Sequence, residues 1–497
     1  MRRWTAPVAI ALLAGVTLSG CYALDPEMRR YVAERKARER AAKAAAAEAK
    51  AAPQPPPVRP TAAAPPPAAP VPPGWPGPTP RVDAVAAARA SDALKEVAAA
   101  YLILTLEAGA HEQGYVDAYY GPPKLIADAL TAPRDVPVLE AEARRLIATL
   151  DTAAPGLADP IDRRRAAFLR AQLVAAETRL MMMQGKRFPF LDEAGRLFGV
   201  RPVLKPLAAY DAELAKVAAL VPGDGPLAAR VETYLDRFTI PKDRLEKVFD
   251  AAIARCRGRT AAHVTMPEGE AFTRQFVTGK SWSGYNHYVG AYNSIIEINT
   301  DLPIRLSRAL DLGCHEGYPG HHLLNMKVEE QLVKGRGWLE FSVYPLYSPQ
   351  SLIAEGTANY GIDLAFPDKT RPDTERDVLM PLAEIEPPAD DRYWRLLDAM
   401  KALQGARLTI AQRYLDGEID RPTAIALTQQ YLLVSPARAE QSVAFTDQYR
   451  SYVINYVTGE EMVRDFLERG SADRDEIWRR FALILGEPTL PADLLAP

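Results

Sequence analysis

The chain has little excess charge: 60 basic against 63 acidic side chains leave a formal −3, which provides no electrostatic footprint for nucleic acid. It shows no internal repeat, and its first apolar run, Ala6 to Leu18, is too short to span a bilayer comfortably. Cysteine and histidine are both scarce, at three and six residues in 497. With 48% hydrophobic and 25% charged residues, the composition is that of an ordinary globular protein able to bury a sizeable core.

Arg2 and Arg3 ahead of the apolar run read as a signal peptide. The run ends in Leu18-Ser19-Gly20-Cys21, which resembles the bacterial lipobox, so residues 1–20 are expected to be removed and Cys21 lipidated. Acyl chains, at about 0.8 kcal/mol per buried methylene, would hold the protein on a membrane without a spanning helix. Tyr22 rather than Asp after that cysteine leans toward an outer-membrane anchor facing the periplasm. Cys256 and Cys314 could pair in an oxidising compartment, but with Cys314 directly beside His315 both are expected to be free thiols.

Residues 21–50 form a charged, Ala-rich spacer, and residues 51–81 a Pro-rich linker. Extended at about 3.1 Å per residue, the linker could reach roughly 90 Å. From residue 82 onward, amphipathic patterns at Ser91–Leu106, Arg163–Met181, Leu204–Leu220, Leu245–Arg257 and Tyr393–Tyr414 predict a mainly α domain. Asp420-Arg421-Pro422 and Ser435-Pro436 read as helix starts. Ser294–Asn299 is β-branched and reads as a strand, either an exposed edge able to accept an extended peptide or part of a buried sheet.

Three of the six histidines fall in His315-Glu316-Gly317-Tyr318-Pro319-Gly320-His321-His322. Zinc takes imidazole and carboxylate ligands, and a catalytic site keeps three protein ligands plus an open position. The spacing is unusual, because the zincin pattern needs histidines at i and i+4, where this chain has Pro319. On a regular helix His321 would point about 120° away from His315. Pro319 and Gly320 are therefore expected to bulge or kink the helix and bring His321 to the second ligand position, with His322 as the alternative. Glu355, set among small and apolar residues in a second helix over Ser351–Tyr360, is the expected third ligand, because an unpaired buried carboxylate is costly.

His315-Glu316-Gly317-Tyr318-Pro319-Gly320-His321-His322 followed by Ala354-Glu355-Gly356-Thr357-Ala358-Asn359-Tyr360 resembles the bacterial family known as domain of unknown function 885, many of whose members are candidate lipoproteins. That family is similar to gluzincin metallopeptidases of the carboxypeptidase Taq type. Tyr115–Pro122 and Gly486–Pro491 extend the resemblance to roughly residues 90–495. It implies a helical zincin-like cleft enzyme with one zinc ion and a small sheet at the cleft. Leu324 and Thr357 depart from the Gln and Trp usual in the family, which bears on the substrate pocket.

On this reading Glu316 is the general base of a peptide-bond hydrolysis. Tyr456, then Tyr452, are the expected oxyanion donors from an aromatic-rich helix over Asp447–Gly459. Arg450 could hold a substrate carboxylate, and Tyr285, His287 and Asn299 are further substrate-binding candidates, the first two in the aromatic segment Ser281–Tyr288. The expected partners are a peptide or peptide-like substrate and, through the anchor, the membrane. Two other readings remain at this level: a non-catalytic envelope lipoprotein that binds through the same fold, and a zinc hydrolase of a non-peptide cell-wall amide.

Overall fold

A computed structural model describes residues 84–495. The signal peptide, Cys21, the spacer and the whole of the linker lie outside these residues. The described chain is mainly α, with 68% helix and 7% strand, in agreement with the helical periodicity.

Amphipathic stripes decide most helices. Ala84–His111, Val136–Ala153 and Pro160–Met183 pack together and bury Leu94, Leu104, Leu139, Leu146, Leu169 and Leu173. The start signals act as expected: the Asp420 side chain accepts from the Thr423 N–H and Ser435 from the Arg438 N–H. Among the described residues no helix is long and apolar enough to cross a membrane.

Two predicted helices are broken. The pattern over Tyr393–Tyr414 divides into Arg392–Lys401 and Ala406–Leu415 around a run of turns. The Asp447–Gly459 segment divides where Arg450 takes φ 53°: one helix ends at Tyr449, a short 3₁₀ turn follows, and Ile454–Glu468 begins a new helix. Both stretches keep a helical hydrophobic period, so periodicity alone carries no sign of the break.

Among the described residues five strands form two small sheets. Strands β1 (Val116–Tyr119) and β5 (Val343–Pro345) pair antiparallel, while β2 (Ala271–Val277), β3 (Gly284–Gly290) and β4 (Asn293–Asn299) form a sheet of order β2-β4-β3. The predicted strand is therefore β4, with Ile295, Ile296 and Ile298 buried. It is central, flanked by β2 in parallel and β3 antiparallel. β4 is thus no exposed edge, and the strand that borders the cleft is β3.

Candidate metal centre

The motif solves its spacing problem by leaving the α-helix altogether. Leu306–Leu312 is α-helical, Gly313–Gly317 widens into a π-helical turn, Tyr318–Pro319 is a cis peptide, and a new helix starts at His321. The Gly320 N–H donates to Cys314 O at 3.0 Å. A Cβ on Gly320 would lie 1.8 Å from His315 O, so only glycine fits at this position. The result goes further than the expected kink: His321 opens a new helix while His315 lies in the π-helical turn that ends the one before it.

The two rings meet edge to face, with centroids 4.6 Å apart and their Nε2 atoms 3.1 Å apart. Glu355 reaches them from the helix Pro349–Ala365, its Oε2 lying 3.2 Å from His315 Nε2 and 3.7 Å from His321 Nε2. Ligand atoms about 2.0–2.2 Å from a tetrahedral zinc would be about 3.4 Å apart. The three atoms therefore have the spacing zinc requires. Glu355 Oε2 is also buried without a well-formed hydrogen bond, a state that costs free energy unless a cation satisfies it. The residues present fit a zinc ion.

Glu316 offers a carboxylate oxygen within 4.8 Å of both histidines' ligand atoms. Burial raises its pKa despite the neighbouring His315 and His321. Burial also pushes up the Glu355 carboxyl, but His315 and His321 outweigh it and hold the group well below the usual carboxylate range. At His321, burial favours the neutral ring, yet the Glu355 contact prevails and the pKa is pushed up to about 9. The three form a strongly coupled charge cluster, the kind of arrangement found where ions bind or protons move.

The alternative ligand His322 points elsewhere. It is fully buried, with Nδ1 2.7 Å from Ser294 Oγ and Nε2 3.4 Å from Glu270 Oε2. Glu270 also accepts from Tyr318 Oη and pairs with Arg257. His322 thus anchors the new helix to β4 and to the segment before β2. No sequence pattern marks Glu270 as its partner.

Tyr452 is not poised as an oxyanion donor: its hydroxyl donates to Glu355 Oε1 at 2.8 Å, which turns the other oxygen toward the histidines. Tyr456 is half-buried on the cavity wall, close enough for the charges of Glu355, Glu316 and Arg407 to act on its phenol. The helix carrying it lies against the Glu355 helix where Gly356 meets Gly459; a Cβ on Gly356 would be 2.4 Å from Gly459 O. Asn359 Nδ2 donates to Tyr456 O at 2.9 Å across the same contact.

Several substrate-binding expectations need correction. Arg450 Nε donates to buried Glu193 Oε2 at 2.8 Å, and Ser451 donates to the other oxygen of that carboxylate, so Arg450 holds the break before the tyrosine helix and does not border the cavity. Asn299 Nδ2 donates to Lys280 O and Trp282 O, both at 2.9 Å, pinning the loop before β3. His287 pairs across strands with Glu297 at 3.1 Å, also off the cavity. Only Tyr285 of this group borders it, with its hydroxyl on Asp117 Oδ1. Leu324 and Thr357 are buried away from the cavity as well; Thr357 Oγ1 donates to Ile353 O at 2.8 Å.

Cys256 and Cys314 are joined in a disulfide, with Cα atoms 5.4 Å apart, contrary to the expectation of free thiols. The bond ties the helix Leu245–Ala261 to the residue immediately before His315. Two cysteines 58 residues apart give no sign in sequence that they meet. The ligand cluster opens into a cavity of about 1510 Å³, bordered by Gly284–Asn286 of β3 on one side and by Tyr456 and Arg407 on another.

No family profile matches the chain, and no curated protein matches it. Among solved structures it is similar to a candidate lipoprotein from Colwellia psychrerythraea, at TM-score 0.46 and 14% identity over 72% of this chain and 68% of that one. A candidate lipoprotein of unknown function from Shewanella oneidensis gives 0.42 and 12% over 74% and 75%. An M32 carboxypeptidase from Deinococcus radiodurans R1 gives 0.38 and 13% over 81% and 94%.

Proposed function

We propose that the chain is a zinc-dependent peptidase, carried on the cell envelope by a lipid on Cys21. The observation that carries the reading is the meeting of His315 Nε2, His321 Nε2 and an otherwise unsatisfied Glu355 Oε2. The anchor rests on the Leu18-Ser19-Gly20-Cys21 sequence.

His315, His321 and Glu355 would hold the ion, with Tyr452 fixing the Glu355 carboxylate. When bound, zinc supplies Lewis-acid polarisation of a carbonyl and a lowered pKa for water. Glu316 takes a proton from the attacking water on its carboxylate and returns it to the leaving amine nitrogen. Tyr456 Oη donates a hydrogen bond to the oxygen that gains charge. The cavity is large enough for several residues of an extended chain, and β3 offers backbone groups beside it.

The test is metal analysis of the purified chain with a peptide-library digest. One zinc per chain, and cleavage lost in Glu316→Gln while zinc is retained, is the expected result. A zinc-free chain that cuts nothing after reconstitution with zinc overturns the reading. Intact peptides alongside cleaved cell-wall fragments would move the substrate to a non-peptide amide.

A further inference from the structure

The cavity wall carries several cations, and most are spoken for. Arg179 pairs with Glu112, Arg371 with Asp311 and Glu375, and Arg464 with Asp363 and Glu460. Arg407 differs. It stands at the second position of the helix Ala406–Leu415 and borders the same cavity as Glu316 and Tyr456. Its Nε is shut off from solvent with no hydrogen-bond partner, and no carboxylate pairs with its guanidinium among the described residues. Burial lowers its pKa, and nearby Arg308 lowers it further.

Arginine stays charged in proteins, so this is a half-buried cation whose Nε is shut off from water and which has no counterion. Folding keeps such a group at a cost, and the cost is recovered when an anion arrives. A guanidinium takes a carboxylate through two parallel hydrogen bonds. Arg308, also on the cavity, pairs with Asp311 at 3.4 Å, which leaves Arg407 as the cation beside Tyr456 without a carboxylate partner. The charge of Arg407 acts on Tyr456, which in turn feels Glu316 and Glu355, so the cation and these carboxylates face the same cavity.

We propose that Arg407 is the carboxylate-binding residue of the cavity, pairing with a carboxylate of the substrate while the bond to be cut lies at Glu316. This rests on the peptidase reading for the reaction, but the binding itself does not need the metal. The carboxylate is either the C-terminus of a peptide or an acidic side chain.

The test is calorimetry on the full chain carrying Glu316→Gln, zinc-loaded and again after chelation. The probes are tetra-alanine as free acid, its C-terminal amide, and the amide with one alanine replaced by aspartate. Tighter binding of the free acid than of the amide by about tenfold or more is the result expected for a C-terminal source. The same gain for the aspartate-containing amide assigns a side chain. Either preference should vanish in Arg407→Met and survive in part in Arg407→Lys. Equal binding of all three probes, or a preference unchanged in Arg407→Met, overturns the proposal. Because Arg407→Met removes an unpaired charge while keeping an apolar stem, its melting temperature should match or exceed that of the parent; a lower one would show that the guanidinium is satisfied internally and also overturns it. Failure to bind zinc sinks the peptidase reading alone, since an Arg407-dependent preference in the metal-free chain leaves the carboxylate site standing.

Discussion

Single atoms divide the labour around the candidate metal centre. Tyr452 Oη on Glu355 Oε1 leaves Oε2 toward His315 and His321, so on the proposed zinc reading Tyr452→Phe should weaken zinc binding by about tenfold to a hundredfold while the fold persists. A competition titration with a chromophoric chelator reads this directly. Asp117 is a second case: burial on the cavity wall outweighs the hydrogen bond from Tyr285 and pushes its pKa up to about 6 from the ordinary 3.8. A raised carboxyl favours the protonated folded state, so its contribution to stability is complete below pH 3.8 and is lost as pH rises through about 6. In the metal-free protein Asp117→Asn should therefore be more stable than the parent at pH 7, by at most about 3 kcal/mol, and equal to it near pH 3. Denaturant unfolding at the two pH values checks the sign.

Helices and turns set the distances that those atoms exploit. The Glu355 helix and the tyrosine helix approach backbone to backbone at Gly356 and Gly459, which is why Tyr452 and Tyr456 reach the site from 97 residues or more beyond Glu355. Gly356→Ala would force them apart, at a cost of about 1–3 kcal/mol, and should lower zinc affinity along with melting temperature because Tyr452 and Glu355 separate. The need for a non-helical link between His315 and His321 was legible, since Pro319 removes a donor and an i+6 spacing cannot share a helix face. Its form was not. A π-helical turn and a restarted helix are chosen by what the turn packs against, including Glu270, which His322 and Tyr318 reach from a different part of the chain.

Across the whole molecule, the disulfide between Cys256 and Cys314 closes a loop of 58 residues that includes the β2-β4-β3 sheet and ends beside His315. Loop-closure entropy assigns it about 4 kcal/mol. Cys256→Ser with Cys314→Ser should lower stability to chemical denaturation by that order, with zinc affinity falling as the turn loosens. The bond also suits an oxidising compartment, consistent with export through the proposed signal peptide.

The sequence by itself determined the helical class, the strand at β4, the helix starts at Asp420 and Ser435, and the small set of residues from which a metal centre could be built. These are local facts: periodicity, caps, and the rarity of histidine. Only the tertiary structure placed His321 rather than His322 beside His315 and Glu355, turned Tyr452 into a support for Glu355, retired Arg450, His287 and Asn299 from the cavity, joined the two cysteines, and left Arg407 facing the site without a counterion. Each depends on a partner far away in sequence, and the energy of a buried polar group is set by the partner it meets.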